Sequence, residues 1–246
     1  MRTMVFDCGG TALKAAVIGD RAEPSLQTVR IPTPYPLPPE RLVGTLLEVA
    51  RTLPSADRVT VGFPGMVRDG IVLNTPHYIN PKGPGTAADP QLVQAWRRFD
   101  VAAAVGRAVE LPTMALNDAD MHGAAFARGD GLELTITLGT GLGFAIYHNG
   151  ELMPHLEMSQ APFRFTTYDY YISDRALSRI GPRRWVRRVG RVLDALRPVV
   201  VWDRLFLGGG NARLFGADDV SRFGSDVTVV TNLDGMRGGH RVWERG

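Results

Sequence analysis

Phe6-Asp7-Cys8-Gly9-Gly10-Thr11, with Lys14 close behind, sets a carboxylate and an ammonium around a turn with almost no side chain at its tip. Backbone N–H groups at such a tip can approach an anion closely. A second turn, Thr137-Leu138-Gly139-Thr140-Gly141, repeats the arrangement about 130 residues later. Each turn alone is as well read as a plain β-hairpin; two of them suggest two lobes gripping one polyphosphate. A third cluster, Leu207-Gly208-Gly209-Gly210-Asn211, follows a predicted strand and is expected to open a helix, a setting that suits a nucleotide or another anion. Asp118 lies just past a predicted strand, next to Asn117. A carboxylate there can take a proton from a hydroxyl. The competing reading is a helix N-cap, where Asp is favoured for its backbone hydrogen bond alone.

The densest charge lies at 179–191, where Arg183, Arg187 and Arg191 recur every fourth residue with Arg184 and Arg188 beside them. On a helix these form one stripe, with Trp185, Val189 and Val192 facing inward. Guanidinium groups present paired donors to phosphate, so the stripe suits an anionic polymer. A solvated helix face accounts for it equally well. Nucleic acid is disfavoured as a partner, since no recognition motif accompanies the patch. The net charge is only +3, and Lys14 and Lys82 are the only lysines. A lysine kept beside the first turn fits a compact point charge near phosphate.

Several elements must position these groups. Strands are predicted at 3–7, 13–18, 58–63, 71–73, 113–116, 132–138, 142–148, 204–207 and 226–230. Helices are predicted at 40–52, 90–98, 101–109, 119–128 and 173–196. The proline-bearing 31–39 is read as a loop or crossover and 76–89 as a mobile surface loop. Strands mixed with helices imply an α/β class. The length of 246 residues allows one large domain or two small ones. The expected division is 1–115 and 116–246, with the last helix able to pack back on the first lobe. No apolar run is long enough to span a membrane, and residues 1–6 read as the entry to a strand rather than a signal peptide. One cysteine, Cys8, excludes an internal disulfide and suits a reducing, cytoplasmic setting. Cys8 is expected to be a small core residue and His122 a packed or surface one.

Five segments, in order and nearly end to end, resemble the ROK family, the sugar-kinase branch of the actin/hexokinase superfamily, and most closely its polyphosphate-glucokinase group. They are Asp7 to Thr11 with Lys14; Gly62-Phe63-Pro64-Gly65 with Arg68-Asp69-Gly70; Asn117-Asp118-Ala119-Asp120; Leu138 to Gly141; and Gly208 to Asn211. The resemblance implies an actin-like, ribonuclease-H-like duplicated two-lobed fold. It also implies a kinase moving a phosphoryl group from ATP or polyphosphate to a hydroxyl of glucose or a related sugar.

Residue by residue, the resemblance makes Asp118 the catalytic base and places Gly65, Asn117 and Glu157 at the sugar. Gly9, Gly10, Thr11, Lys14, Gly139, Thr140, Gly141, Gly208, Gly209 and Gly210 fall at phosphate or nucleotide. Asp7 falls near Mg²⁺, acting through water; the alternative is an Asp that only forms its turn. The arginine stripe becomes a polyphosphate candidate. Where the family has Glu-x-Gly-His, this chain has Glu157-Met158-Ser159-Gln160. Gln160 can still donate to a sugar oxygen but cannot change charge as His can. The departure raises a kinase for a modified sugar or cyclitol as an alternative, and a non-catalytic protein on the same fold as another. No zinc site is expected, because Cys8 cannot form the family's cysteine cluster alone. A homodimer is compatible with these readings.

Overall fold

The computed structural model describes residues 1–19 and 28–244. The chain divides into two compact units. The first is Met1–Met121 with Gly239–Glu244, and the second is His122–Gly238. The division falls after Met121 rather than after residue 115, so Asn117 and Asp118 belong to the first unit.

In the first unit, β1 (Arg2–Cys8), β2 (Ala12–Gly19) and β3 (Val29–Pro32) form an antiparallel meander. β4 (Arg58–Phe63) adds in parallel to β1, and β7 (Thr113–Asn117) in parallel to β4. The order is β3-β2-β1-β4-β7. Nearly every residue of the central strands β1 and β4 is buried, the mark of strands covered on both faces. Edge strand β3 alternates between half-buried and exposed. It takes up the start of the segment read as a loop, and a small hairpin of β5 (Met66–Arg68) and β6 (Ile71–Asn74) adds a strand not predicted.

Helix α1 (Pro39–Ala50) starts on a proline at its first turn and buries Leu42, Leu46 and Val49, a helical stripe. After α2 (Pro90–Trp96), α3 (Val101–Val109) is capped by Asp100, whose carboxylate accepts the Ala103 N–H at 2.8 Å. The core joins Phe6, Leu42, Leu46, Val61, Phe63, Tyr78 and Trp96. The C-terminal residues also belong here: Thr60 Oγ1 donates to the Gly239 carbonyl at 2.6 Å and accepts from Trp243 Nε1 at 2.8 Å.

The division of the chain falls within α4 (Asp118–Phe126). The second unit repeats the sheet. An antiparallel meander of β8 (Leu132–Leu138), β9 (Leu142–His148) and β10 (Glu151–Leu152) is extended after a two-strand hairpin, β11 (Pro162–Phe163) and β12 (Thr166–Thr167). β13 (Arg204–Gly208) is parallel to β8, and β14 (Val227–Val229) is parallel to β13, giving β10-β9-β8-β13-β14. The two sheets thus share one topology, and the fold is a duplicated α/β, actin-like one.

The segment read as a single helix at 173–196 is two: α6 (Asp174–Ile180) and α7 (Pro182–Val200), preceded by α5 (Tyr168–Ile172). Gly181, at φ +78°, breaks the run, and Pro182 restarts it. Trp185, Val189, Val192, Leu193 and Leu196 of α7 enter the second core with Leu134, Ile136, Leu205 and Leu207. The chain continues through α8 (Ala217–Phe223), α9 (Asn232–Met236) and α10 (Gly238–Arg241). Among the described residues no helix is long and apolar enough to cross a membrane.

Candidate functional site

In the first unit the candidate residues gather at the carboxyl ends of the parallel strands β1, β4 and β7, where ligands bind in open α/β sheets. The register pairs Asp7 with Gly62, and Phe63 with Asn117. Asp7 also faces Lys14 across β1 and β2, and Lys14 Nζ donates to Asp7 Oδ2 at 2.7 Å. Asp7 is 4% exposed. An ammonium on a buried carboxylate compensates its lost hydration.

The turn between β1 and β2 is held by hydroxyls. Thr33 Oγ1 donates to the Gly9 carbonyl at 2.8 Å, Tyr78 Oη to the same carbonyl at 3.3 Å, and Tyr35 Oη to the Gly10 carbonyl at 2.8 Å. Tyr78 is fully buried, and His77 and Pro84 close over Gly10. The segment read as a mobile loop is therefore an anchored wall of the first turn. Burial raises the Tyr78 phenol well above its usual range, with Asp118 and Asp7 adding to the effect. Burial first, then Asp7 and Asp118, raises the Cys8 thiol well above its ordinary value too. Both aspartates thus project negative charge onto one locus, and Cys8 is a core thiol rather than a nucleophile.

The start of α4 separates the two readings of Asp118. Asn117 Oδ1 accepts the N–H of Ala119 at 2.8 Å and of Asp120 at 3.3 Å, which is the capping function. The Asp118 carboxylate accepts its neighbour's N–H, Ala119, at 2.9 Å. Asn117 Nδ2 donates to the Gly65 carbonyl at 2.9 Å, so the amide read as a sugar contact is largely committed within the protein. It locks the Gly65 turn, at φ +151°, to the start of α4.

In the second unit the two remaining glycine turns meet. Gly209, at φ +89°, lies so close to the backbone of Leu138 that no Cβ fits. The Asn211 N–H donates to the Leu138 carbonyl at 3.0 Å and the Asp174 N–H to that of Gly139 at 2.9 Å. Asn211 Nδ2 donates to Asp174 Oδ1 at 2.9 Å, tying both turns to the start of α6. The third turn opens a three-residue 3₁₀ turn, Ala212–Leu214, not the helix expected, so it carries no long helix dipole.

Glu157 sits in a short relay. Ser159 Oγ donates to Glu157 Oε1 at 2.6 Å, and Gln160 Nε2 donates to Ser159 Oγ at 2.9 Å. Gln160 is exposed, and His155 Nε2 lies 4.0 Å from Glu157 Oε2. Sequence reasoning missed Asp169. Its Oδ1 accepts the Leu142 N–H at 3.0 Å and occupies the space that a Cβ on Gly141, at the second turn, would need. Burial raises its pKa from 3.8 to about 6, against the Leu142 N–H, which lowers it, and with Glu157 adding to the rise. A lone Asp between tyrosines carries no spacing signal that would have found it. His122 is buried.

The arginine stripe divides. Arg188 lies 4.4 Å over the Tyr171 ring and donates to its carbonyl at 3.1 Å, and Arg191 donates to its hydroxyl at 3.5 Å. Arg183, Arg184, Arg187 and Arg191 are exposed, and Arg188 is half-buried.

Two sheets of one topology, each bearing a glycine hairpin between its first two strands, define an actin-like fold. The ROK family profile matches residues 3–154, and the chain belongs to the ROK family. A polyphosphate glucokinase of Mycobacterium tuberculosis (strain CDC 1551 / Oshkosh) is 28% identical over 218 residues, 83% of this chain and 76% of that protein. An N-acetylmannosamine kinase of Escherichia coli O157:H7 is 32% identical over 161 residues, 62% of this chain and 50% of that protein. Among solved structures, the inorganic polyphosphate/ATP-glucomannokinase of Arthrobacter sp. strain KM aligns with a TM-score of 0.80 at 23% identity, over 99% of both chains. A ROK family glucokinase of Streptomyces griseus aligns with a TM-score of 0.77 at 19% identity over the full length of both.

Proposed function

We propose that the chain is a cytoplasmic carbohydrate kinase that transfers a phosphoryl group from ATP or inorganic polyphosphate to a hydroxyl of glucose or a related sugar. The observation that carries this reading is the start of α4, at the carboxyl end of β7: Asn117 Oδ1 takes the cap hydrogen bonds, and the Asp118 carboxylate beside it is assigned to the acceptor's proton. A positioned base contributes ~10²–10⁴-fold in rate. The remaining acceleration comes from holding and neutralising the phosphates. Backbone N–H groups of Gly10 and Thr11 and of Thr140 and Gly141 are assigned to phosphate; those of Gly9 and Gly139 close the two turns, on the Ala12 and Gly141 carbonyls, each at 3.0 Å. Lys14, fixed on Asp7, supplies a positive charge beside the first turn.

Asp7 is a hard oxygen donor of the kind that holds Mg²⁺ through water. When bound, Mg²⁺ would neutralise charge on the donor phosphates. Glu157 is assigned to acceptor hydroxyls, with Ser159 and Gln160 fixing its orientation. The neutral relay in place of the family's Glu-x-Gly-His favours a second reading, a kinase for a modified sugar or cyclitol. An acceptor screen run once with ATP and once with polyphosphate tests both readings. Transfer to glucose supports the first and transfer only to another polyol the second. No transfer to any acceptor contradicts kinase activity altogether.

A further inference from the structure

Resting on the kinase reading, we infer that α6 and the first turns of α7 form a track for long-chain inorganic polyphosphate, leading away from the glycine turns of the second unit. The track starts where the Asp174 N–H meets the Gly139 carbonyl at 2.9 Å, so α6 departs from the phosphate turn itself. Arg175 and Arg179 are exposed on α6. After Gly181, Arg183, Arg184 and Arg187 continue the exposed series on α7. From Asp174 to Asp194 no other acidic residue interrupts the run. Seven residues of α6 span ~10 Å, so the α7 arginines begin roughly that far from the turn. That offset exceeds what three linked phosphates held at the turn need, and it suits a polymer whose far end must also be held.

The chemistry of the patch selects an anion without bases. Single-stranded nucleic acid is held by open aromatic faces beside cations. Beside these helices the aromatic rings are buried or already paired with arginine, although Tyr170 is half exposed. Trp185 is fully buried, Arg188 covers Tyr171, and Arg179 lies 4.9 Å over Tyr170 while donating to its hydroxyl at 2.8 Å. Exposed guanidinium groups such as those of Arg183, Arg184 and Arg187 present paired donors suited to phosphate oxygens.

The test uses the full chain and the triple variant Arg183→Ala, Arg184→Ala, Arg187→Ala, with an unchanged melting temperature as the check on folding. Anisotropy of end-labelled long-chain polyphosphate, without sugar, reads binding directly. Initial rates compare long-chain polyphosphate with tripolyphosphate. The expected result is an affinity and KM for the long chain weakened about tenfold, a KM for tripolyphosphate changed less than about twofold, and a difference that shrinks with salt. If the triple variant does not fold, Arg187→Ala alone carries the test, with an expected weakening of about twofold. Equal effects on both donors, or none, would overturn the track. So would labelled single-stranded RNA that binds more tightly than polyphosphate and is released by the same substitutions. A chain that transfers phosphate to no acceptor yet binds polyphosphate through these arginines supports the track and removes the kinase reading.

Discussion

The two glycine hairpins occupy the same place in two sheets of the same topology, yet they are restrained by different chemistry. The first is pinned through its carbonyls by three hydroxyls, from Thr33, Tyr35 and Tyr78. The second is wedged by backbone, with Gly209 against Leu138 and the Asp174 N–H on Gly139, and it carries a carboxylate, Asp169, on the Leu142 N–H. The lesson is that a turn presenting only backbone to its ligand fixes the main-chain path and leaves the supporting side chains free to differ. The topology is therefore repeated while the sequences of the halves share little. It follows that the hydroxyl pins of the first turn should be insensitive to pH near neutrality and the carboxylate of the second should not.

The largest expected effect separates packing from phosphate contact within the second unit. Gly209→Ala introduces a Cβ into the Leu138 backbone at positive φ and should destabilise the protein by ~1–3 kcal/mol or more. Gly139→Ala meets nothing within 4 Å and should leave stability nearly unchanged, so any change in donor KM would report on the phosphate itself. Denaturant unfolding of the two variants checks this, and equal destabilisation would mean that the wedge is not what holds the second turn.

A smaller effect tests the hydroxyl pins. Tyr35→Phe removes the donor to the Gly10 carbonyl and should cost about 0.5–1.5 kcal/mol at every pH from 5 to 9. A cost that varied with pH across that range would break the contrast between the turns.

The subtlest effect belongs to Asp169. Its pKa is raised in the folded protein, from 3.8 to about 6. The folded state then binds more protons than the unfolded one in that window, so this group makes stability fall as pH rises from about 4 to about 6. Asp169→Asn keeps an acceptor for the Leu142 N–H and should remove that fall. Melting temperatures across pH 4 to 7 should show the variant gaining on the wild type up to about pH 6 and level beyond it. Parallel curves would remove Asp169 from the electrostatics of the second turn.

Much of this was legible in the chain. The glycine turns announced themselves because closely spaced glycines between apolar runs have few other uses. The central strands followed from their unbroken apolar stretches. Other features were not legible, for physical reasons. Asn117 and Asp118 are adjacent and both able to cap, and only the geometry of α4 assigns the cap to Asn117. The segment 173–196 has helical spacing throughout, and Gly181 breaks it by adopting a backbone angle that spacing does not reveal. The anchoring of 76–89 depends on Tyr78 reaching Gly9, a contact across 69 positions. The five-arginine stripe read as one face, but Tyr171 draws Arg188 in from it, while Arg191 stays exposed.

The division of labour at the start of α4 is the central claim, and Asp118→Asn tests it most directly. The substitution keeps the shape of the side chain and removes its basicity. Turnover on the best acceptor should fall ~10²–10⁴-fold, while calorimetric binding of sugar and donor and the melting temperature stay close to wild type. Turnover within a few-fold of wild type would contradict the assignment of Asp118 as the base. A large loss of stability with little loss of turnover would return Asp118 to a capping role.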